Sequence, residues 1–177
     1  MKNTTLCYLE KNDAYLMLHR VKKEKDENAG KWIGVGGHFE EGESPYACAV
    51  REIFEETGLA AAALVYRGVV TFVSDLYETE QMHLFTVPAF VGEDGFPMYE
   101  GGAVETPFCA AETPFCAEGN LAWVKRADIP TLTLWEGDRI FLSLLEKNEP
   151  FFSLKLSYRG DALVSVALNG IPIDPRI

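Results

Sequence analysis

No apolar run in these 177 residues approaches the 18 or so that a membrane-spanning helix needs, and no charged-then-apolar leader opens the chain. Cysteine is sparse: Cys7, Cys48, Cys109 and Cys116 include no CxxC pair, so neither a disulfide framework nor a thiolate metal cluster is expected. The expectation is a cytoplasmic protein with reduced thiols and no membrane partner. Basic residues are also short, 16 Lys and Arg against 27 Asp and Glu, and the net charge of −11 excludes a basic surface for DNA or RNA polymers or for anionic membranes. With 47% hydrophobic residues and no gap long enough for a linker, residues 1–177 read as one domain with a real core.

The positive signal is concentrated in Gly37 to Leu59, GHFEEGESPYACAVREIFEETGL. Ser44-Pro45 is a helix start, the serine oxygen capping an amide and the proline lacking one to lose, and Gly58 is the matching left-handed stop. Tyr46, Ala49, Val50, Ile53 and Thr57 form a core-facing stripe. Glu52, Glu55 and Glu56 then share a neighbouring face, where they repel one another in the half of the helix whose macrodipole favours cations. Arg51 answers part of that charge. For an arbitrary Glu-rich helix a solvated acidic face is the ordinary explanation. If a ligand sits there, oxygen-only donors select a hard cation, Mg²⁺ or Mn²⁺, rather than zinc.

The stretch satisfies G-x5-E-x7-R-E-U-x-E-E-x-G-U at every position, with Gly37, Glu43, Arg51, Glu52, Ile53, Glu55, Glu56, Gly58 and Leu59. This resembles the Nudix box, the signature of hydrolases that cut a nucleoside diphosphate linked to a further group. The resemblance implies an α+β fold, a mixed sheet between helices, with Mg²⁺ on Glu52, Glu55 and Glu56 helped by the Gly36 carbonyl. Glu43 and Arg51 would brace the loop and orient the glutamates.

Two strand-like runs, TTLCYLE and AYLMLHR, flank a turn at Lys11-Asn12-Asp13, and a polar loop holding Lys22, Lys23, Lys25 and Lys31 leads to a strand at Trp32 to Gly36. His19 and His83 read as sheet residues; His38, beside the metal loop, has no partner to make it a base. Ala60 to Ala63 reads as a connection, followed by strands LVYRGVVTFV and MHLFTVPAFV. Residues 92–117 read as a surface-loop insertion carrying a tandem heptad, ETPFCAA then ETPFCAE, too short for a repeat architecture. Asn120 to Lys125 is a strand, Asp128-Ile129-Pro130 a turn, and Trp135 to Asp138 opens a second helix. FSLKLSY and ALVSVAL close the chain as a hairpin around Arg159-Gly160-Asp161.

GKWIGVGGHFEEGE, EGNLAWV and the run from Thr133 to Asp161 are similar to the oxidised-purine, MutT-like branch of the family, outside residues 92–117. That resemblance implies hydrolysis of a nucleoside triphosphate of the 8-oxo-dGTP type to monophosphate and pyrophosphate, in nucleotide-pool sanitation and DNA repair, by a monomer or homodimer. By position, Lys23 would meet phosphate, Glu118 would approach the metal or the attacking water, and Phe72, Trp135 and Asp138 would form the base pocket. Glu55, Glu56 and Glu118 are all candidates for the general base. Glu27 and Ile33 depart from the mammalian pattern of an aromatic and an asparagine, and Gly137 replaces one of two adjacent aspartates; bacterial members also carry an aliphatic residue at position 33. The alternatives are an ADP-ribose or nucleotide-sugar pyrophosphatase, and a module that senses a nucleotide without cutting it. Such modules usually lose box glutamates, and none is lost here.

Overall fold

The computed structural model describes residues 1–21, 28–92 and 119–175. Lys22, Lys23, Lys25, Glu27, the tandem heptad with Cys109 and Cys116, and Glu118 lie outside those residues. Among the described residues nine strands form one mixed sheet: β1 (Lys2–Lys11), β2 (Ala14–His19), β3 (Trp32–Ile33), β4 (Ala60–Ser74), β5 (Glu80–Val91), β6 (Asn120–Lys125), β7 (Phe152–Arg159), β8 (Ala162–Leu168) and β9 (Ile171–Ile173). Two helices, α1 (Pro45–Thr57) and α2 (Glu136–Glu146), lie against it, with a short 3-10 helix at Arg126–Thr131. The order is β3-β2-β1-β5-β4-β7-β8-β9, with β6 paired to β2; β1 runs parallel to β5 and β4 parallel to β7.

Period-two alternation sorts the central strands between two cores. Leu6, Tyr8, Tyr15, Met17 and Leu84 face the cluster that receives Ile140, Phe141 and Leu145 of α2. Cys7, Leu9, Leu16, Leu18, Phe85 and Val87 face the cluster that receives Ala49 and Ile53 of α1. Strands buried on both sides read as continuous apolar runs, which is why β1 and β2 stand out in the sequence. Their hairpin turns at Asn12 and Asp13, both at positive φ (47° and 59°), the backbone that matches the twist of paired strands.

Some expected boundaries move. The strand from Trp32 to Gly36 is hydrogen-bonded as a strand only over Trp32–Ile33, because beyond it Val35 bridges Cys7 and Gly37 accepts from the Thr5 N–H, drawing the segment across β1 instead. Ala60 to Ala63 belongs to β4, paired with the end of β5 through register shifts that absorb the irregular stretch. Asp128-Ile129-Pro130 lies inside the 3-10 helix. β9 was not expected; its signal is Asn169-Gly170, another turn with both residues at positive φ. Tyr46 is 55% exposed, and the buried stripe of α1 runs through Cys48, Ala49, Ile53 and Thr57.

α2 begins at Trp135, whose side chain cannot cap the amides of the first turn. Tyr158 on β7 supplies the missing acceptor: its hydroxyl takes the Gly137 N–H at 2.8 Å. A Cβ at Gly137 would stand 2.4 Å from Leu156 Cδ1 and 2.7 Å from the Tyr158 hydroxyl, so any side chain at this close approach of helix to sheet requires one of them to shift. Gly137→Ala is expected to lose about 1–3 kcal/mol through overpacking, seen as a lowered Tm in thermal unfolding, although alanine is the better helix former. An unchanged or raised Tm would show that Leu156 and Tyr158 move aside without cost.

Candidate active site

Ser44 caps α1, its hydroxyl accepting from the Ala47 N–H at 3.1 Å, and Gly58 ends it at φ 69° with its N–H bonded to the Phe54 carbonyl. This anchors the frame for Arg51. The guanidinium donates from Nε and Nη2 to the two oxygens of Glu43 (2.7 and 2.8 Å), from Nη1 to Glu52 and Glu55 (2.7 and 3.0 Å), and from Nη2 to the His38 carbonyl (3.0 Å). Glu43 also accepts from the Glu40 N–H at 2.8 Å. Arg51 therefore staples the Glu40–Glu43 turn to the helix in the two-pronged geometry that planar guanidinium and carboxylate favour. Its hydrogen bonds hold the Glu43 carboxyl down at about 2, and those same bonds raise Arg51 above its ordinary range.

The glycine loop closes on the same helix. A Cβ at Gly36 would lie 2.1 Å from the Thr5 carbonyl oxygen, at a φ of 149°, and one at Gly37 would lie 2.5 Å from the Glu52 carboxylate. Only glycine lets backbone approach this closely. Gly36 N–H donates to Glu56 Oε2 at 2.9 Å. Glu52 is half-buried, and burial pushes its carboxyl upward against the pull of Arg51.

As the side chains stand, Glu52 and Glu55 turn to Arg51 and Glu56 to Gly36, and among the described residues no three acid, imidazole or thiol groups converge as a ready-made ion cage. The donor set nonetheless suits a hard divalent ion. It consists of carboxylate oxygens on one helix face beside a backbone loop, and Glu55, 55% exposed, can turn without disturbing packing. Cys48, on α1, donates to the Gly37 and His38 carbonyls of the loop but is a buried thiol that burial raises to about 11, so it offers no thiolate.

The residues of the expected base pocket also come together. Phe72 on β4 lies 5.8 Å from Trp135, ring centre to ring centre, and 5.0 Å from Tyr158, which meets Trp135 edge-on at 5.2 Å. Trp135 Nε1 donates to Asn28 Oδ1 at 2.9 Å, and Lys31 Nζ stands 4.1 Å from the centre of its ring. Asp138, one turn into α2, is 7% exposed, and burial raises its carboxyl to about 7 against the opposing pull of Lys31 and Arg139. Trp135 is thus a core residue, 7% exposed. Ile33 sits on β3 opposite Leu18, half-buried. The segment from Lys31 to Gly37 connects the groups, with Lys31 over Trp135 at one end and Gly36 and Gly37 against Glu56 and Glu52 at the other. Tyr158 and Asn28 were missed in the sequence. The inward alternation of Phe152, Leu154, Leu156 and Tyr158 was the available signal for the first, and none marked the second.

Residues 2–145 match the NUDIX domain. The chain belongs to the Nudix family. It is 30% identical over 174 residues to YvcI, an uncharacterized Nudix hydrolase of Bacillus subtilis, a match covering 91% of this chain and 95% of the relative. It is 38% identical over 151 residues to an oxidized purine nucleoside triphosphate hydrolase of Danio rerio, covering 84% of each. The crystal structure of a mutator MutT protein from Bacillus halodurans has the same fold, with a TM-score of 0.74 at 21% identity over 97% of this chain and 100% of that one. The protein is a Nudix hydrolase, an enzyme of a family that acts on small nucleotides and uses divalent metal. Among the described residues no helix is long and apolar enough to cross a membrane.

The raised Asp138 carboxyl makes stability depend on pH. An acid whose folded pKa exceeds its unfolded value holds its proton more firmly when folded, so its contribution is intact below the ordinary 3.8 and declines until about 7. Unfolding measured across that window should show the parent losing ground to Asp138→Asn as pH rises, by at most about 4 kcal/mol. Parallel pH curves for the two proteins would mean that Asp138 is not held protonated by burial.

Proposed function

We propose that the enzyme hydrolyses nucleoside triphosphates bearing an oxidised purine, of the 8-oxo-dGTP type, to the monophosphate and pyrophosphate, in nucleotide-pool sanitation. The observation that carries this reading is the buried Asp138 carboxyl, titrating near neutrality, set among Phe72, Trp135 and Tyr158. Aromatic rings grip a base by its faces, whereas a carboxyl that can hold or release a proton at working pH can meet either a donor or an acceptor on a purine edge. The name of the Danio rerio relative points to the same substrate class.

Glu52, Glu55 and Glu56, with the Gly36 carbonyl, would hold Mg²⁺, with Mn²⁺ as a substitute. Such an ion supplies charge neutralisation for the polyphosphate and lowers the pKa of a water. Arg51, braced by Glu43, sets the resting orientation of Glu52 and Glu55. Glu55, Glu56 or Glu118 takes the proton from the attacking water, and Lys23 meets the phosphates. The base and the polyphosphate bind at opposite ends of the Lys31–Gly37 segment, so recognition of one positions the other for attack.

Product analysis with Mg²⁺ over 8-oxo-dGTP, dGTP, dATP and ADP-ribose tests the reaction, with pyrophosphate and monophosphate as expected products. Glu55→Gln and Glu56→Gln should each lower kcat at least about a hundredfold without lowering Tm, the usual cost of losing a ligand or base. Parent-like turnover in both, or AMP released from ADP-ribose as the preferred reaction, would overturn the assignment.

Base recognition has its own test. Trp135→Ala should cost about 1–3 kcal/mol of binding, mainly as a raised KM for either purine, and Trp135→Phe should recover part of it while keeping the core filled. Asp138→Asn should instead compress the ratio of kcat/KM for 8-oxo-dGTP over dGTP, because an amide cannot change its proton count. An unaltered ratio would remove Asp138 from base reading.

A further inference from the structure

The outward face of α2 carries a second feature that the reaction does not use. Arg139, Leu142 and Glu146 recur at helical spacing on that face and, with Ile129 and Pro130 of the 3-10 helix, wall a cavity of about 280 Å³ whose lining includes Tyr15 and Arg126. Its walls are fixed relative to each other: Arg139 donates to the Pro130 and Leu132 carbonyls, both at 2.8 Å, tying the 3-10 helix to α2. The cavity is therefore largely preformed, at the small end of ligand-pocket sizes.

Among the described residues, three buried side-chain polar atoms have no hydrogen-bond partner, and two of them, the Tyr15 hydroxyl and Arg126 Nε, belong to this one site. Tyr15 is only 2% exposed, and the Arg126 guanidinium stacks 4.5 Å from the centre of its ring. Arg126 spends Nη2 on Glu10 at 2.8 Å, while its Nε lies 3.8 Å from Asp13 Oδ1, beyond hydrogen-bond range. Buried donors are ordinarily satisfied, so two orphans on stacked residues that line one cavity call for an acceptor. The remaining lining, Ile129, Pro130, Leu142 and the Tyr15 ring, suits a flat apolar body. Glu146 at the mouth, with Glu10 and Asp13 nearby, opposes a multiply charged anion such as a polyphosphate.

We infer that this cavity is a second binding site, distinct from the base pocket, for a small planar apolar molecule carrying a single carboxylate. The carboxylate takes the Tyr15 hydroxyl and the Arg126 Nε–H after a small shift of the guanidinium, and the ring lies against Ile129 and Leu142. Because the orphan hydroxyl contributes nothing to folding without an acceptor, removing it separates binding from stability.

The experiment titrates 4-fluorobenzoate into the full-length protein, followed by ¹⁹F NMR, with benzylamine and pyrophosphate as competitors. Saturable binding is expected, displaced by neither competitor, weakened about tenfold or more in Tyr15→Phe and in Arg126→Lys, and unchanged in Trp135→Phe. Tyr15→Phe without ligand should melt at or above the parent temperature. The proposal falls if binding does not saturate, if benzylamine competes equally, if both substitutions leave affinity as it was, or if Trp135→Phe abolishes the signal, which would place the probe in the base pocket. Arg126→Lys retains charge and so reads the site even if Tyr15→Phe fails to fold. Neither result bears on the hydrolytic reading.

Discussion

One arginine organises the loop–helix that carries the candidate metal ligands. The Arg51 guanidinium joins a turn, a loop carbonyl and two positions of its own helix, and without it Glu43, Glu52 and Glu55 would crowd like charges around the end of the loop. In water such pairs contribute little each, but here Arg51 and Glu43 are 22% and 15% exposed and share several acceptors, so the bonds act as a network rather than as separate surface pairs. Glu43 gives up its ordinary titration to that network. The consequence is geometric: one guanidinium nitrogen gathers Glu52 and Glu55, while Glu56 is held separately by the Gly36 N–H.

A second constraint governs the other end of the site. α2 lacks a side-chain cap, so its first turn is secured by the Tyr158 hydroxyl and by contact of Gly137 with Leu156. That contact places Asp138 in the core, where the helix N-terminus and two cations favour its charge and burial opposes it more strongly. A carboxyl left near neutrality is a poor choice for stability. Under the proposed base recognition it would suit a site that distinguishes purine edges differing in their donors and acceptors, and that use would account for the cost.

The sequence made the loop–helix legible because its signals are local: a serine cap, a proline at the first turn, a glycine stop and carboxylates at helical spacing. Strands buried on both faces were legible for the same reason, through unbroken apolar runs. What escaped depends on contacts between distant segments. Tyr46 continues the helical stripe on paper, yet in the folded protein Cys48 turns inward beside Thr5 while Tyr46 stays out. Gly137 looked like a lost aspartate and is instead a packing requirement imposed by Leu156, 19 positions along the chain. Asn28 as the partner of the Trp135 indole is invisible to any spacing rule, as is the meeting of Tyr15 with Arg126.

The charge balance links these parts. A protein of net charge −11 would have to overcome long-range repulsion to bind the proposed polyphosphate, and Arg51, bonded to Glu43, Glu52 and Glu55, already serves several acceptors. It cannot receive a phosphate without releasing one of these carboxylates or the His38 carbonyl, whereas a divalent ion can take carboxylate and phosphate oxygens together. Lys31 has a comparable position at the other end, over the Trp135 ring and pulling on Asp138, and a base that stacks on that indole must share or displace it. Both groups of residues therefore hold their charges in internal pairings. In the reaction proposed above, substrate and metal would bind by replacing bonds the protein has made with itself, which would limit how tightly a nucleotide lacking either the right edge or the ion is held.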